Sequence, residues 1–378
     1  MRIKVLFLSI VLIVVSFVYS KKKEVKIPTE VLQPVRAITG EDDPRLFVRW
    51  GGYELFTVDE NGNIYISTNL SGYILKVNNK GEFVKKIGRK GQGPGDLNLP
   101  TWVKYIDGKI IVSDDVGYSF FDTNGRFLHK FMTFLPFYKF AVDSKYIYAY
   151  LPREKNIITV FDFKGNKVKS FGKRFSCVKP RNLKYGTMMN LYSADIMVTD
   201  KYVYLLYHTP ALLYQYDKKG NFIRKRFIEF YYDKNLQGVA KEIREIVFKK
   251  GYDGKRCVHR YYKETGITAI YVRILESGIY NNGKFYLIPY LTKYYLYKGK
   301  TYSYSLIIMY DEKTLKAERE YIYYTIIGST EYGKDSDFGP SPGHFQVIEA
   351  KGGEKYFFIP VVDRVYDGAY LGIYRAKK

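Results

Sequence analysis

The chain has 378 residues, of which 46% are hydrophobic and 18% aromatic, with 40 Tyr and 25 Phe. That much apolar side chain excludes wholesale disorder, and the excess of Tyr, Phe, Val and Ile indicates pleated, half-buried strands, an all-β chain. A formal charge of +23 attracts polyanions such as anionic polysaccharide, lipid head groups or nucleic acid.

Residues 1–20 read as an export leader. Arg2 and Lys4 precede the apolar run Val5 to Val18, and "VYS" offers small residues for cleavage after Ser20. That run, fourteen residues broken only by Ser9 and Ser16, is short for a membrane span. An uncleaved anchor is the alternative, because Lys21, Lys22 and Lys23 follow immediately. No Cys lies near residue 20 to carry a lipid. Export to the periplasm, cell surface or medium removes nucleic acid from the expected partners and makes Cys177 and Cys257 eligible to pair. A membrane is expected as a partner only if the leader is retained.

Residues 21–45 form a lead, followed by "LFVRWG" (46–51), which has the pattern of an isolated outer strand. Six hairpins of one kind then recur: "FTVDENGNIYIS" (56–67), "VKYIDGKIIVS" (103–113), "FAVDSKYIYAY" (140–150), "IMVTDKYVYLLY" (196–207), "SGIYNNGKFYLI" (277–288) and "FQVIEAKGGEKYFFI" (345–359). Between them lie hairpins of a second kind: "VNNKGEFVKKIG" (77–88), "FDTNGRFLHKFM" (121–132), "FDFKGNKVKSFG" (161–172), "YDKKGNFIRKRF" (216–227) and the degenerate "YDEKTLKAEREY" (310–321). In the hairpins of the second kind Asp or Asn opens the tight turn by bonding its own backbone, and usually Gly closes it, taking the positive φ. Each pair of hairpins is a four-stranded antiparallel meander, and the closest pairs recur every 40 to 44 residues. That period with four strands per unit is the signature of a propeller blade. The sixth unit lacks a fourth strand, and 46–51 is expected to supply it. The fold class is therefore all-β: a six-bladed β-propeller over 46–378, closed by an N-terminal strand, with one short helical insertion between blades four and five.

"GRKGQGPGDLNLP" (88–100) looks superficially like a phosphate-binding loop. It is followed by a strand rather than a helix and lacks Gly-Lys-Ser/Thr, so it reads as a junction between blades. It resembles the G-x-G-x-G-P-G-x-[F/L]-x-x-P junction of NHL-type repeats, and "DFGPSPGHFQVI" (337–348) resembles a worn copy. The resemblance, which covers most of 46–378 as repeat logic, identifies the chain as a member of the NHL/TolB-like group of exported bacterial propellers.

In such meanders the first–second and third–fourth turns lie at one end of every blade. The second–third loops and the blade junctions lie at the other. All long insertions fall at this second end: 172–193, 230–272, 324–344 and the hairpin tip around Lys293 to Lys300. Loops of that length in a compact fold usually carry function. Junction 172–193 holds Lys173, Arg174, Lys179, Arg181 and Lys184 without an acid, and 230–272 holds nine Lys or Arg against five Asp or Glu. Segment 324–344 is the exception at net −2. Within 230–272, residues 235–251 carry Val239, Ile243, Ile246 and Val247 on one helical face, with Gly251 as a C-terminal cap.

The expected ligand contacts are Arg89, Lys90, Arg153, Lys155, Arg181, Lys184, Lys293, Tyr294 and Arg364. Arginine suits planar anions through paired hydrogen bonds, and tyrosine stacks on sugar rings. The ligand is an anionic glycan, a peptide or a partner protein, bound without catalysis. The alternative is a metal-dependent hydrolase or lactonase, which the resemblance allows. Its candidates are Asp114, Asp115, His208 and Asp363. His208 stands alone in "YHTPA", where a surface residue is the ordinary expectation and a base the sharper one. No cofactor is expected, calcium being the one ion left open, because the four histidines show no ligand spacing.

Overall fold

The computed structural model describes residues 27–38, 43–46, 55–68, 71–133, 139–152, 154–173, 194–208, 212–228, 275–289, 293–297, 300–324, 345–350, 352–363 and 368–376. They form six antiparallel meanders, the blades of a six-bladed propeller. Blade one runs Phe56–Val58, Ile64–Thr68, Tyr73–Val77 and Phe83–Ile87. Blade two comprises Val103–Ile106, Lys109–Ser113, Gly117–Asp122 and Phe127–Met132. Blade three comprises Phe140–Val142, Tyr146–Tyr150, Ile158–Asp162 and Lys167–Phe171, and blade four Ala194–Val198, Tyr202–Tyr207, Leu212–Asp217 and Phe222–Phe227. Blade five is built from Leu275–Asn281, Lys284–Pro289, Lys300–Asp311 and Ala317–Tyr324. Its second–third connection is an extended hairpin in which Lys293–Tyr297 pairs with the start of Lys300–Asp311.

Blade six departs from the sequence expectation in the segment that completes it. Its chain-terminal strands Gln346–Glu349, Lys355–Asp363 and Gly368–Arg375 are joined by Gln33–Ile38, which pairs antiparallel with Gly368–Arg375. The N-terminus does close the ring, but from 33–38 rather than 46–51. Residues Pro44–Leu46 form a short 3-10 turn that buries Leu46, and 47–50 lie outside the described residues. "QPVRAI" hides its strand character because Pro34 and a register shift near Arg36 interrupt the alternation. An edge strand tolerates both, since its outer N–H groups have no ladder to join. Just upstream, Thr29–Val31 runs parallel to the outer strand of blade five. Leu32, 1% exposed, sits in the core between blades five and six and donates its N–H to the Ile322 carbonyl. Residues 28–38 thus strap two blades together.

Second and third strands are sandwiched between neighbouring blades, which is why all five residues of Ile64–Thr68 are buried. The turns follow the expected chemistry. Asp162 Oδ1 accepts from the N–H groups of Lys164 and Asn166, and Gly165 completes the turn at φ +91°. A Cβ on Gly165 would stand 2.6 Å from the Phe131 ring of blade two, so the glycine is also a blade-to-blade contact. The 88–100 junction is a folded loop: Arg89–Lys90 pairs parallel with Asp96–Leu97, and the carboxylate of Asp96 accepts from Gly93 N. A strand, Val103–Ile106, follows it. The helix expected at 235–251 and the cysteines 177 and 257 lie outside the described residues.

Candidate functional site

The six first strands surround a channel of about 300 Å³. Side chains from all six blades line it, among them Thr57, Lys104, Ala141, Asp195, Asn281 and Gln346. Each boundary between neighbouring blades is bridged next to this channel. Gln346 joins blade six to blade one, accepting from Val58 N at 3.0 Å and donating to the Phe56 carbonyl at 3.2 Å. Tyr105 N donates to Thr57 Oγ1 (3.1 Å) between blades one and two. The Lys139 ammonium lies 5.3 Å from the centre of the Trp102 ring, between blades two and three. Lys139 Nζ meets Asp195 Oδ1 at 2.5 Å, between blades three and four. Gly278 N donates to Asp195 Oδ2 (2.8 Å), between four and five, and Asn281 Nδ2 donates to the Val347 carbonyl (3.1 Å), between five and six.

The charged part of this ring lies toward the loop-rich end. Trp102 and Lys139 immediately precede the first strands of blades two and three, Asp195 is the second residue of its strand, and His208 begins the second–third loop of blade four. Asp195 is the hub. Its Oδ2 also lies 2.7 Å from His208 Nε2, and because an ionised carboxylate has no proton to give, Nε2 carries the hydrogen. Burial works to raise the Asp195 pKa, but Lys139 and His208 overcome it and hold the carboxyl well below the usual range. Lys104, half-buried on the first strand of blade two, has the opposite fate. Burial pushes its ammonium down to about 8, Asp195 resists and Lys139 adds to the shift.

Of the residues expected from sequence and described here by the structure, His208 is the member of this cluster. It is buried, 5% exposed, rather than a surface loop residue, because its blade packs the second–third turn against Asp195. Arg89 is held to Asp96 at 2.8 Å in the first junction, and Lys90 beside it is exposed. Lys155 is exposed in the second–third loop of blade three. Asp114 is committed within blade two and to the junction before it: Oδ1 accepts from Val116 N and Gly117 N, and Oδ2 from Lys130 Nζ at 2.7 Å and Asn98 N at 3.3 Å. Asp115 Oδ2 accepts from Asn98 Nδ2 at 2.6 Å, and its Oδ1 is buried with no hydrogen bond among the described residues. The backbones of Lys293, Tyr294 and Asp363 sit in strands, but their side chains lie outside the described residues, as do Arg153, Arg181, Lys184 and Arg364 entirely. Among the described residues, no group of three or more His, Cys, Asp or Glu could hold a metal ion, and no helix is long and apolar enough to cross a membrane.

Sequence reading missed Lys104, Lys139, Asp195 and Trp102. The signal was present: "WVKYI", "YKFAV" and "SADIMV" each place a charge at an inner strand otherwise apolar.

No family model and no curated protein matches the sequence. Solved structures do. A member of the DUF4221 family from Bacteroides vulgatus is 12% identical, with 93% of this chain and 97% of that chain covered and a TM-score of 0.51. A protein of Bacteroides fragilis described as exported is 13% identical, covering 93% and 99%, at a TM-score of 0.49. A streptogramin B lyase structure is 9% identical, covering 92% and 98%, at 0.48. The chain is a six-bladed β-propeller. At these identities the likeness shows the fold alone.

Proposed function

We propose that this propeller is an exported, non-enzymatic binding protein of the NHL/TolB-like kind, which takes an anionic ligand on its loop-rich end. The carrying observation is the channel ring, whose charged residues, Lys104, Lys139, Asp195 and His208, gather toward that end. The long junctions expected there, with Arg181 and Lys184 in the most basic of them, supply a wider contact surface for an anionic glycan, or for a peptide or protein with an acidic face. The leader at residues 1–20 supports export to the periplasm or cell surface, with a retained anchor as the other outcome of mass determination on the exported product.

Thermal unfolding tests this reading. Heparin or polygalacturonate at a hundredfold its dissociation constant should add about 2.7 kcal/mol of stability. The shift should shrink in high salt, and neutral dextran should produce none. Full retention of the shift in the Arg181→Ala/Lys184→Ala variant would remove the basic junction from the site. The His208–Asp195 pair supports a second reading, a hydrolase using an oriented imidazole. Ester or lactone turnover that is lost in His208→Gln would establish it.

A further inference from the structure

We infer that the outer wall of blades three and four docks on a lipid surface carrying anionic head groups, with aliphatic side chains set among lysines as the contact. This goes beyond the binding reading above and does not depend on it, because the wall stands apart from the loop-rich end.

A recurrent bulge carries the inference. In every blade the outermost strand has one residue more than the stretch it pairs with. In blades one, two, three, four and six that extra residue is aliphatic: Val84, Leu128, Val168, Ile223 and Val35. In blade five it is Glu318, which meets Lys284. A bulged residue is left out of the ladder and its side chain is re-aimed. Here it turns outward, and the five aliphatic side chains are 39% to 51% exposed. The bulge itself asks for no apolar group, as Glu318 demonstrates, so an aliphatic ring at one level of the exterior needs another cause.

The ring is most developed on blades three and four. Phe222, beside Ile223, is 53% exposed, with its ring resting against Tyr214 and Tyr216. Residues 162–171 and 217–227, the third–fourth turns and outer strands of these blades, hold eight Lys or Arg against two Asp. Lys164, Lys167 and Lys219 of these segments are exposed. Asp162 and Asp217 are drawn onto their own turns, accepting from Asn166 and Asn221. Cations around a small apolar patch match an anionic bilayer: lysines meet the head groups while aliphatic and aromatic groups enter the acyl boundary.

The shape of the wall selects among occupants. The outside of a closed ring of blades is convex, so it offers no groove to an extended peptide, and outer-strand lysines oppose strand addition. A second copy would bring the same positive charge. A fluid bilayer conforms to a convex patch and neutralises it.

The test is co-sedimentation with vesicles of the chain without residues 1–20, which keeps every described strand and removes the leader's own affinity for lipid. The chain should bind vesicles of equal parts phosphatidylglycerol and phosphatidylcholine and should not bind phosphatidylcholine alone. Raising salt from about 0.1 M to about 1 M should weaken binding. Val168→Ser/Ile223→Ser, at two half-exposed bulges, should weaken it about tenfold or more. Lys164→Glu/Lys167→Glu/Lys219→Glu should abolish it. Val35→Ser, at the same bulge of blade six, and Arg181→Ala/Lys184→Ala should both bind as the wild type does. Failure of the wild type to bind anionic vesicles would overturn the inference without appeal to any variant. So would undiminished binding by Val168→Ser/Ile223→Ser at an unchanged melting temperature, because overall charge would then suffice. Vesicle failure accompanied by binding to polyglutamate would assign the wall to an acidic peptide instead. Vesicle failure accompanied by dimerisation that the same double variant abolishes would assign it to a second copy. None of these outcomes decides the heparin shift, which tests the loop-rich end separately.

Discussion

Replacing Asp195 by Asn tests whether one carboxylate ties blades three, four and five together. The change is nearly isosteric, so the effect is electrostatic and directional. An amide oxygen can still accept from Lys139, but the amide NH2 then faces both the Gly278 N–H and His208 Nε2. His208 can change tautomer and accept; a backbone N–H cannot. One buried donor therefore loses its partner, at about 1–3 kcal/mol, and Lys139 loses its counter-charge. Breaking a buried pair from one side costs about 3–5 kcal/mol in total. At about 2.1 cal/mol/K per residue, 378 residues melt with an entropy of about 0.8 kcal/mol/K, so a loss near 4 kcal/mol lowers the midpoint by about 5 °C. Differential scanning calorimetry at pH 7 reads this directly. The double variant Lys139→Met/Asp195→Leu replaces both charges by apolar groups and should recover part of the loss. A single variant melting within about 1 °C of wild type, or a double variant no better than the single, would refute the role of Asp195 as hub.

Acid should expose the same linkage. Asp195 and Asp143 are held below the ordinary carboxylate range, and the backbone N–H of Thr314 leads the groups that bring Asp311 down to about 2. A depressed folded pKa contributes stability that is present above the unfolded value near 3.9 and is lost as pH falls through the folded value. The melting temperature should therefore hold from pH 7 to about pH 5 and drop steeply between about 4 and 2; a flat profile to pH 2 would contradict the shifts. Two glycines of similar backbone conformation separate strain from packing. Gly165→Ala meets the Phe131 ring at 2.6 Å, whereas Gly283→Ala, at φ +77°, meets nothing within 4 Å. The second should cost about 1–2 kcal/mol and the first distinctly more, measured by urea unfolding. In the N-terminal strap, Leu32→Ala should cost about 2–5 kcal/mol. Val35→Ala, at an edge-strand side chain 51% exposed, should change stability by less than about 0.5 kcal/mol in the same urea measurement.

Strand content, blade number and blade boundaries were legible because turn chemistry repeats. Asp59, Asp122, Asp162 and Asp217 each accept from backbone N–H groups of their own turns, an interaction local enough to be read from spacing alone. Ring closure was legible as a requirement but not as an address. Gln33–Ile38 escapes a strand pattern because an edge strand tolerates the Pro and the bulge that a central strand forbids. The channel cluster was hidden for another reason. Lys139 and Asp195 belong to neighbouring blades 56 residues apart, and nothing in either segment names the other. What the segments do contain is a charge at an inner strand, which is expensive unless paired and therefore marks a non-local partner. His208 reads as a loop residue from its neighbours in sequence, and its burial becomes visible only once its blade places it against Asp195.

The basic character of the chain also acquires a structural component. Lys85 of the outermost strand of blade one donates to the Asn124 carbonyl in the turn of blade two, and Lys76 donates to Thr123 O, both at 2.7 Å. Lys169 of blade three reaches the Lys218 carbonyl in blade four, and Arg226 of blade four reaches Thr314 O in blade five at 3.3 Å. In these turns Asp or Asn has taken up the N–H groups, which leaves carbonyl oxygens facing the preceding blade. A long cationic side chain spans that gap and keeps its charge near water while its stem covers apolar surface. Lysine on an outer strand therefore does two things at once: it ties consecutive blades and discourages strand addition at the open edge. Neither role neutralises the charge, because a carbonyl is a dipole and not an ion. The exterior consequently keeps a field that gathers anions from solution. In the channel, by contrast, Lys139 meets a carboxylate, Asp195, so there a lysine that joins two blades is also neutralised by its partner.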